Sequence, residues 1–224
     1  MLEGSDELGV RAAKLSAAKN FKVAAEDLAL CDICGEGDWE DDNKILFCDS
    51  CNVGVHQDCY GAGAKRVPSG PWYCDACTQG RRTSGKQQQR LTALDTGCIL
   101  CPNKGGALKR TSDSRWAHIV CALWTPGADF LDPEGLDVVH PCGVNEKRLE
   151  LTCSICNTTG GACIQCSAPR CLVAFHASCA RRSGNVHMVE KEKDDYVIQQ
   201  IFCEKHRPAE VSGKKKRRKR ESKW

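Results

Sequence analysis

The chain has 224 residues, 18 of them cysteine, but only five Trp, five Phe and three Tyr, with a formal charge of +3. So few large side chains, divided among Cys-punctuated segments of about 50 residues, exclude a large conventional core and call for covalent or metal staples. Neither an N-terminal apolar segment nor an apolar run of about 18 residues occurs, so no secretion signal or membrane span is expected and the compartment is read as reducing, cytosol or nucleus.

Residues 1–30 are rich in Ala and Lys with a weak helical pattern (Leu8, Ala12, Leu15, Ala18) and read as an N-terminal extension. Residues 31–77 form the first unit, with four pairs at two-residue spacing: Cys31 and Cys34, Cys48 and Cys51, His56 and Cys59, Cys74 and Cys77. Its long loop Gly35–Asn43 leads into Ile45-Leu46-Phe47, a predicted short strand. Residues 78–97 contain Gln87-Gln88-Gln89 and few apolar side chains, and read as a basic linker. Residues 98–152 hold a shorter unit, Cys98 and Cys101 with His118 and Cys121; the stretch 118–124 is predicted to open a short helix, with Trp116 and Trp124 as core. Residues 153–206 repeat the longer pattern with Cys153 and Cys156, Cys166 and Cys171, His176 and Cys179, Cys203 and His206; Ala180 to Ile201 reads as a long loop. Residues 207–224 are predicted to be a disordered basic tail, with seven consecutive cations at Lys214–Arg220.

A two-residue spacer lets both side chains of one turn face a single tetrahedral ion, so these pairs are half-sites of structural zinc. Disulfides are the alternative for any Cys-rich chain, but Cys pairs interleaved with His–Cys pairs favour metal. The interleaving implies a cross-brace. In the first unit Cys31, Cys34, His56 and Cys59 hold one ion and Cys48, Cys51, Cys74 and Cys77 another. Cys98, Cys101, His118 and Cys121 hold a third. In the last unit the sets are Cys153, Cys156, His176, Cys179 and Cys166, Cys171, Cys203, His206. Twenty ligands for five zinc ions leave no coordination position open for chemistry, which favours a binding module over a zinc enzyme. Sixteen ionised thiolates against the ten positive charges of five divalent ions shift the formal +3 to about −3. His140, Cys142, Cys163 and His187 lack a complete ligand set and read as packing or surface residues.

RING fingers are also cross-braced, so ligand order decides. In the first unit the single His is the fifth ligand, and Trp72 lies two residues before the seventh. Both features resemble a PHD finger. The succession of PHD finger, zinc knuckle and second PHD finger resembles the extended PHD (PZP) modules of the bromodomain- and PHD-finger scaffold and Jade family. It is carried by ILFCDSCNVGVHQDCYG (45–61), VPSGPWYC (67–74), CPNKGGALK (101–109), WAHIVCALW (116–124), GACIQC (161–166) and FHASCA (175–180). It covers residues 31–206, and the basic linker is longer than usual for the family. The implied fold is a small zinc-stapled α+β assembly, two cross-braced PHD fingers flanking a zinc knuckle, with little conventional core. The implied role is a non-enzymatic, nuclear chromatin reader within a MYST-type histone acetyltransferase complex. An AF-ten-type module reading an internal segment of histone H3 and a RING-like E3 ubiquitin ligase are the alternatives.

PHD fingers of this type bind the N-terminus of histone H3 by adding it as a strand to a free sheet edge. That edge is expected at Lys44, Ile45, Leu46 and Phe47. The resemblance implies that carbonyls of Pro68, Ser69 and Gly70 capture the free terminal amine, that Asp49 pairs with the second-residue arginine, and that Glu40, Asp41, Asp42 and Asn43 face the fourth-residue lysine. A trimethyllysine reader needs an aromatic cage. The cage position two residues before the ligand His is Gly54, and only Trp39 is a candidate ring, so an unmodified lysine is expected. Residues 31–77 carry nine acidic against three basic residues, which suits a cationic peptide. Arg81, Arg82, Lys86, Arg90, Arg170, Arg181, Arg182 and Lys205 are candidates for sequence-independent contacts to nucleosomal DNA, and Lys214–Arg220 for a nuclear localisation signal or phosphate-binding arm.

Overall fold

The computed structural model describes residues 30–83, 93–193 and 196–208. In chain order these contain β1 (Ile45–Phe47), β2 (Gly54–His56), α1 (Gln57–Tyr60), α2 (Asp75–Thr83), β3 (Gly97–Cys98), β4 (Cys101–Lys104), β5 (Leu108–Arg110), β6 (Trp116–His118), α3 (Ile119–Trp124), β7 (Asp129–Phe130), β8 (Val139–His140), β9 (Cys163–Gln165), β10 (Ala174–His176), α4 (Ala177–Ser183), β11 (His187–Lys193) and β12 (Tyr196–Phe202). The strands form antiparallel pairs in chain order, β1 with β2 through β11 with β12.

One local unit occurs three times: a short strand, a partner strand ending on a histidine, and a helix starting at the next residue. The register places that histidine opposite the first residue of the first strand, as Ile45 with His56, Leu108 with His118 and Cys163 with His176. Each histidine keeps an extended backbone at the helix N-cap, with ψ of 148°, 141° and 142°. The helical Cys three residues on then falls on the same face as the His, so the His-x2-Cys spacing is itself a strand-to-helix junction.

The interior is built from small residues around the ligands. In the cluster joining the knuckle to the second finger, 14 of 21 buried members are Cys or Ala, with Trp124 and Phe175 among the few large ones. A second cluster joins the first finger to the knuckle through Leu108, Ile119 and Ala107 packed with Tyr60, Trp72 and Val55. The knuckle therefore contributes to both cores. At the first joint the Lys109 ammonium, 1% exposed, pairs with Asp75 at 2.7 Å and lies 4.2 Å from the Tyr60 ring centre. Tyr60 in turn accepts the Asp75 N–H at 2.8 Å and stacks edge-on against Trp72 at 5.4 Å. Ala62 N–H donates to Gly135 O at 2.8 Å, and a Cβ on Gly61 would lie 2.1 Å from that oxygen. The loop after β7 thus reaches the first finger where only glycine fits.

Three expectations change. The stretch 78–97 begins as helix, because α2 runs through Arg81 and Arg82 to Thr83, and it ends on a 3-10 turn whose Ala93 is buried and donates its N–H to Cys77 Sγ at 3.3 Å. The span from Ala180 to Ile201 is the end of α4 and a ribbon of two seven-residue strands. Trp116 is half-buried, with the Arg110 guanidinium 5.4 Å from its ring centre. The N-terminal extension up to residue 29 and the tail from 209 lie outside the described residues.

Removing the carboxylate from a buried pair leaves an uncompensated charge, whereas replacing the lysine with an apolar chain of like volume removes the need for it. Asp75→Asn is therefore expected to destabilise by about 3 kcal/mol, at the low end for buried pairs because Asp75 is 34% exposed. Lys109→Met is expected to stay within about 1 kcal/mol of the parent. Guanidinium unfolding at fixed zinc checks both; equal losses would show that the pair itself is not what holds the joint.

Candidate functional site

The twenty predicted ligands come together as five clusters of four, with the memberships read from the interleaving, and within each cluster the ligand atoms lie within 4.8 Å of one another. Tetrahedral zinc with Zn–S of about 2.3 Å sets S–S edges near 3.8 Å. Cys51 Sγ and Cys74 Sγ are 3.8 Å apart, far beyond the roughly 2.05 Å of a disulfide. All 18 cysteines are free thiols in the fold. The donor sets therefore fit five structural zinc ions.

The histidines show how each site is oriented. Nδ1 faces the thiolates: His56 to Cys34 at 3.2 Å, His118 to Cys101 at 3.2 Å, His176 to Cys156 at 3.5 Å. Nε2 reaches a backbone carbonyl: Asp38 O at 2.8 Å, Gly105 O at 2.5 Å, Gly160 O at 2.9 Å. With Nδ1 on the metal, Nε2 carries the proton and donates it, which fixes ring and tautomer. In the first finger the carbonyl belongs to the acidic loop, so the metal centre also tethers Asp38, next to Trp39 and Glu40. The unused Cys163 is explained as well. Burial, then the negative charge of Cys153 and Cys156, pushes its thiol up to about 12, and its Sγ points to Leu151 O at 3.6 Å.

The predicted peptide edge is free of a second strand among the described residues, since β1 pairs only with β2. Lys44 O accepts from Gln57 N at 3.1 Å and Cys48 N donates to Val53 O at 3.0 Å. By alternation the main-chain groups of Ile45 and Phe47 point the other way, to the open side. At the C-terminal end of β1, Asp49 Oδ2 accepts from Trp72 N at 2.8 Å and Asp49 N donates to Trp72 O at 2.9 Å. This double link holds the exposed Pro68–Gly70 loop beside Asp49. At the other end, Glu40 and Asn43 bridge each other, Asn43 Oδ1 accepts from Asp58 N at 3.1 Å, and Asp41 and Asp42 stay exposed. Trp39, Lys44, Ile45 and Phe47 line a shallow hollow of about 270 Å³. The Phe47 ring fills the space over Gly54, where a Cβ would lie 2.7 Å from Phe47 Cε1.

A PHD-finger family model matches residues 42–78, and a model described as a PHD-zinc-finger like domain matches residues 96–206. Human "Bromodomain and PHD finger-containing protein 3" is 41% identical over 194 residues, covering 80% of this chain and 15% of that protein. Human "E3 ubiquitin-protein ligase Jade-2" is 37% identical over 186 residues, covering 82% of this chain and 22% of that protein. The chain thus spans under a quarter of the length of these relatives. The crystal structure of the zebrafish PHF14 PZP module superposes with a TM-score of 0.62 at 33% identity, covering 80% of this chain and 89% of that one. The chain belongs to the extended PHD family of the Jade and bromodomain–PHD scaffold type.

The two fingers of this extended PHD module are not equivalent at the corresponding edge. Cys163 occupies in β9 the register position of Ile45 in β1, and its outward carbonyl is capped by Arg148 Nη1 at 3.1 Å. The free edge belongs to the first finger. The cationic candidates also divide. Arg82, Arg170, Arg182 and Lys205 are exposed, and Arg81 is exposed with its guanidinium 4.1 Å from the Tyr73 ring centre. Lys86 and Arg90 lie outside the described residues. Arg181 does not belong with this group: it turns inward, and its Nη1 donates to Cys34 O at 2.6 Å, across 147 residues of sequence. An arginine pair on a helix gives no sign of which member faces in, so sequence alone could not separate Arg181 from Arg182. Sequence reading also missed Gln57, whose Oε1 accepts Lys44 N at 3.0 Å while its Nε2 donates to Ala64 O at 3.1 Å. His140 meets Ser112 Oγ at 3.1 Å, and Cys142 is exposed.

Because metal binding is folding free energy in such units, His56→Ala is expected to unfold the first finger and release both of its ions. Zinc per chain, measured by mass spectrometry of the desalted protein, falls from five towards three. Retention of four would show that the second ion holds the finger without the first.

Proposed function

We propose that the first finger reads the unmodified N-terminus of histone H3, with the second finger and knuckle contributing sequence-independent contacts to nucleosomal DNA, as the chromatin-targeting part of a MYST-type histone acetyltransferase complex in the nucleus. The observation that carries the reading is the open edge of β1 with an acidic loop at one end and the Asp49–Trp72 link beside the Pro68–Gly70 loop at the other. A strand added antiparallel to β1 starts at the Asp49 end. At about 3.3 Å per residue its fourth residue lies roughly 10 Å further on, beside Lys44 and the Glu40–Asn43 turn. A free amine at the first position meets carbonyls of Pro68–Gly70, the second-residue guanidinium meets the Asp49 oxygen that Trp72 leaves open, and an ammonium at the fourth meets carboxylates.

The methylation sense rests on chemistry at the same end. A primary ammonium offers three N–H donors to Glu40, Asp41 and Asp42, and trimethylation removes all of them. Trp39 and Phe47 supply two rings to the nearby hollow, but Lys44 lies in its wall, and a quaternary ammonium there meets a like charge. The name of the human relative Jade-2 raises ubiquitin transfer as a second activity of this family. Complete four-ligand sets argue against metal chemistry, not against a ligase that works by recruiting a conjugating enzyme, so a ubiquitin-discharge assay addresses it directly.

Calorimetric titration with a fifteen-residue H3 N-terminal peptide tests the reading. The unmodified peptide is expected to bind, fourth-residue trimethylation to weaken it and N-terminal acetylation to abolish it. Binding that survives acetylation would favour an internal segment instead. Asp49→Asn keeps an acceptor for Trp72 N–H and removes the charge, and is expected to weaken binding by about 1–3 kcal/mol. For DNA, Arg82→Ala with Arg170→Ala is expected to weaken a short duplex uniformly across sequences and reduce the slope of log K against log salt by about 2.

A further inference from the structure

The first zinc centre of finger 1 contains three Cys and one His, and with a divalent ion it carries a net charge of about −1. It needs a nearby cation, and among the described residues one comes from the other end of the chain. Arg181, on α4 of the second finger, donates Nη1 to the carbonyl of the ligand Cys34 at 2.6 Å. It lies across Gly35, where an added Cβ would stand 3.1 Å from Nη1 and 3.2 Å from Cδ. Cys31, Cys34, Cys59 and Glu36 are the negative groups that face it.

The same turn is gripped from the knuckle. Asp32 Oδ2 accepts Ala107 N–H at 2.8 Å, while Asp32 N donates to Gly54 O at 2.9 Å. The acidic loop 36–43 starts immediately after the residues held by these contacts, and its middle is held by His56 through Asp38 O at 2.8 Å. The root of the loop is therefore fixed by the second finger and the knuckle, and its middle by the metal site.

We propose that Arg181 is a positioning residue through which the second finger orders the acidic loop of the first. Its Nη1 bonds the carbonyl of Cys34, and its charge balances the zinc–thiolate centre from which the loop departs. Removing it frees the loop root without removing any zinc ligand or any group offered to a peptide. Arg182, one residue on, is exposed, but its Nη2 reaches the knuckle side of the same joint, 3.1 Å from where a Cβ on Gly106 would stand, a point 2.7 Å from Asp32 Oδ2. That this order matters for affinity rests on the H3 reading above; that the loop is ordered by Arg181 does not.

The test uses the full chain with Arg181→Met, Arg181→Lys and, as an exposed cation with no assigned role, Lys147→Met, each checked for five zinc ions per chain. Amide hydrogen exchange is followed in segment 36–43 without ligand, and calorimetry measures the unmodified H3 peptide. Arg181→Met is expected to speed exchange in 36–43 at least about fivefold, consistent with the loss of a buried charge-assisted bond, and to weaken the peptide by a comparable factor. Arg181→Lys, with the charge but not the planar guanidinium, falls between, and Lys147→Met matches the parent. If Arg181→Met loses zinc, the Lys variant alone carries the test. Exchange in 36–43 that stays at the parent rate in Arg181→Met, or in Arg181→Lys where that variant stands alone, overturns the proposal. Faster exchange in a protein whose parent form binds no H3 peptide supports the tether and rejects the reading.

Discussion

Everything in this molecule hangs on a histidine that does two things at once. At three of the five metal centres the ring sits where a strand becomes a helix, turns Nδ1 to the thiolates and gives its Nε2 proton to a carbonyl between 13 and 18 residues earlier. The first action closes the metal site. The second fastens a loop that has no sheet or core of its own. A purely thiolate site such as Cys48, Cys51, Cys74 and Cys77 lacks that spare donor, which is a physical reason for a His at these three centres. In the first finger the fastened segment is the acidic loop, so the chemistry that folds the unit also positions that loop.

Because metal supplies the local stability, the apolar interior is free to connect units instead of stabilising each separately. Its members are mostly Cys and Ala, which bring backbones close together, and close backbones make single polar contacts between units effective. Lys109 with Asp75, Ala107 N–H with Asp32, and Arg181 with Cys34 O are all of this kind. Each joins units far apart in sequence, and each excludes water from a charged or polar group that would otherwise be solvated. The knuckle lies in both apolar clusters, so it works as the joint between the fingers.

Much of this was legible in the sequence, and what was not shares a cause. Ligand spacing is a local signal fixed by one ion's geometry, so all twenty ligands and their grouping followed from it. The strand Ile45–Phe47 was legible as an apolar run, and a short helix was expected in the stretch 118–124. Contacts between units carry no such signal. Arg181 looked like surface charge because nothing near it in sequence shows a carbonyl 147 residues away. The β11–β12 ribbon was obscured by charged residues at Glu190–Lys193, which read as loop although the strand ladder runs through them. The basic residues after Cys77 read as linker because α2 is stabilised by its place after a metal ligand more than by an apolar stripe.

Charge separates the two ends of the module further than composition suggests. In residues 31–77 the two zinc centres, one of three Cys with a His and one of four Cys, add about three negative charges to an excess of six acidic side chains. In residues 153–206 both centres have three Cys with a His and add about two, against six basic and five acidic side chains. The first finger is thus strongly negative and the second nearly neutral with exposed arginines. A polyanion is repelled from the edge of β1 whatever its shape, and a cationic peptide is drawn to it. Arg181, sent from the second finger, is consumed at the root of the acidic loop, leaving the carboxylates of Asp41 and Asp42 facing solvent. The arrangement keeps the acidic and the arginine-bearing surfaces apart while Arg181 ties the two fingers together.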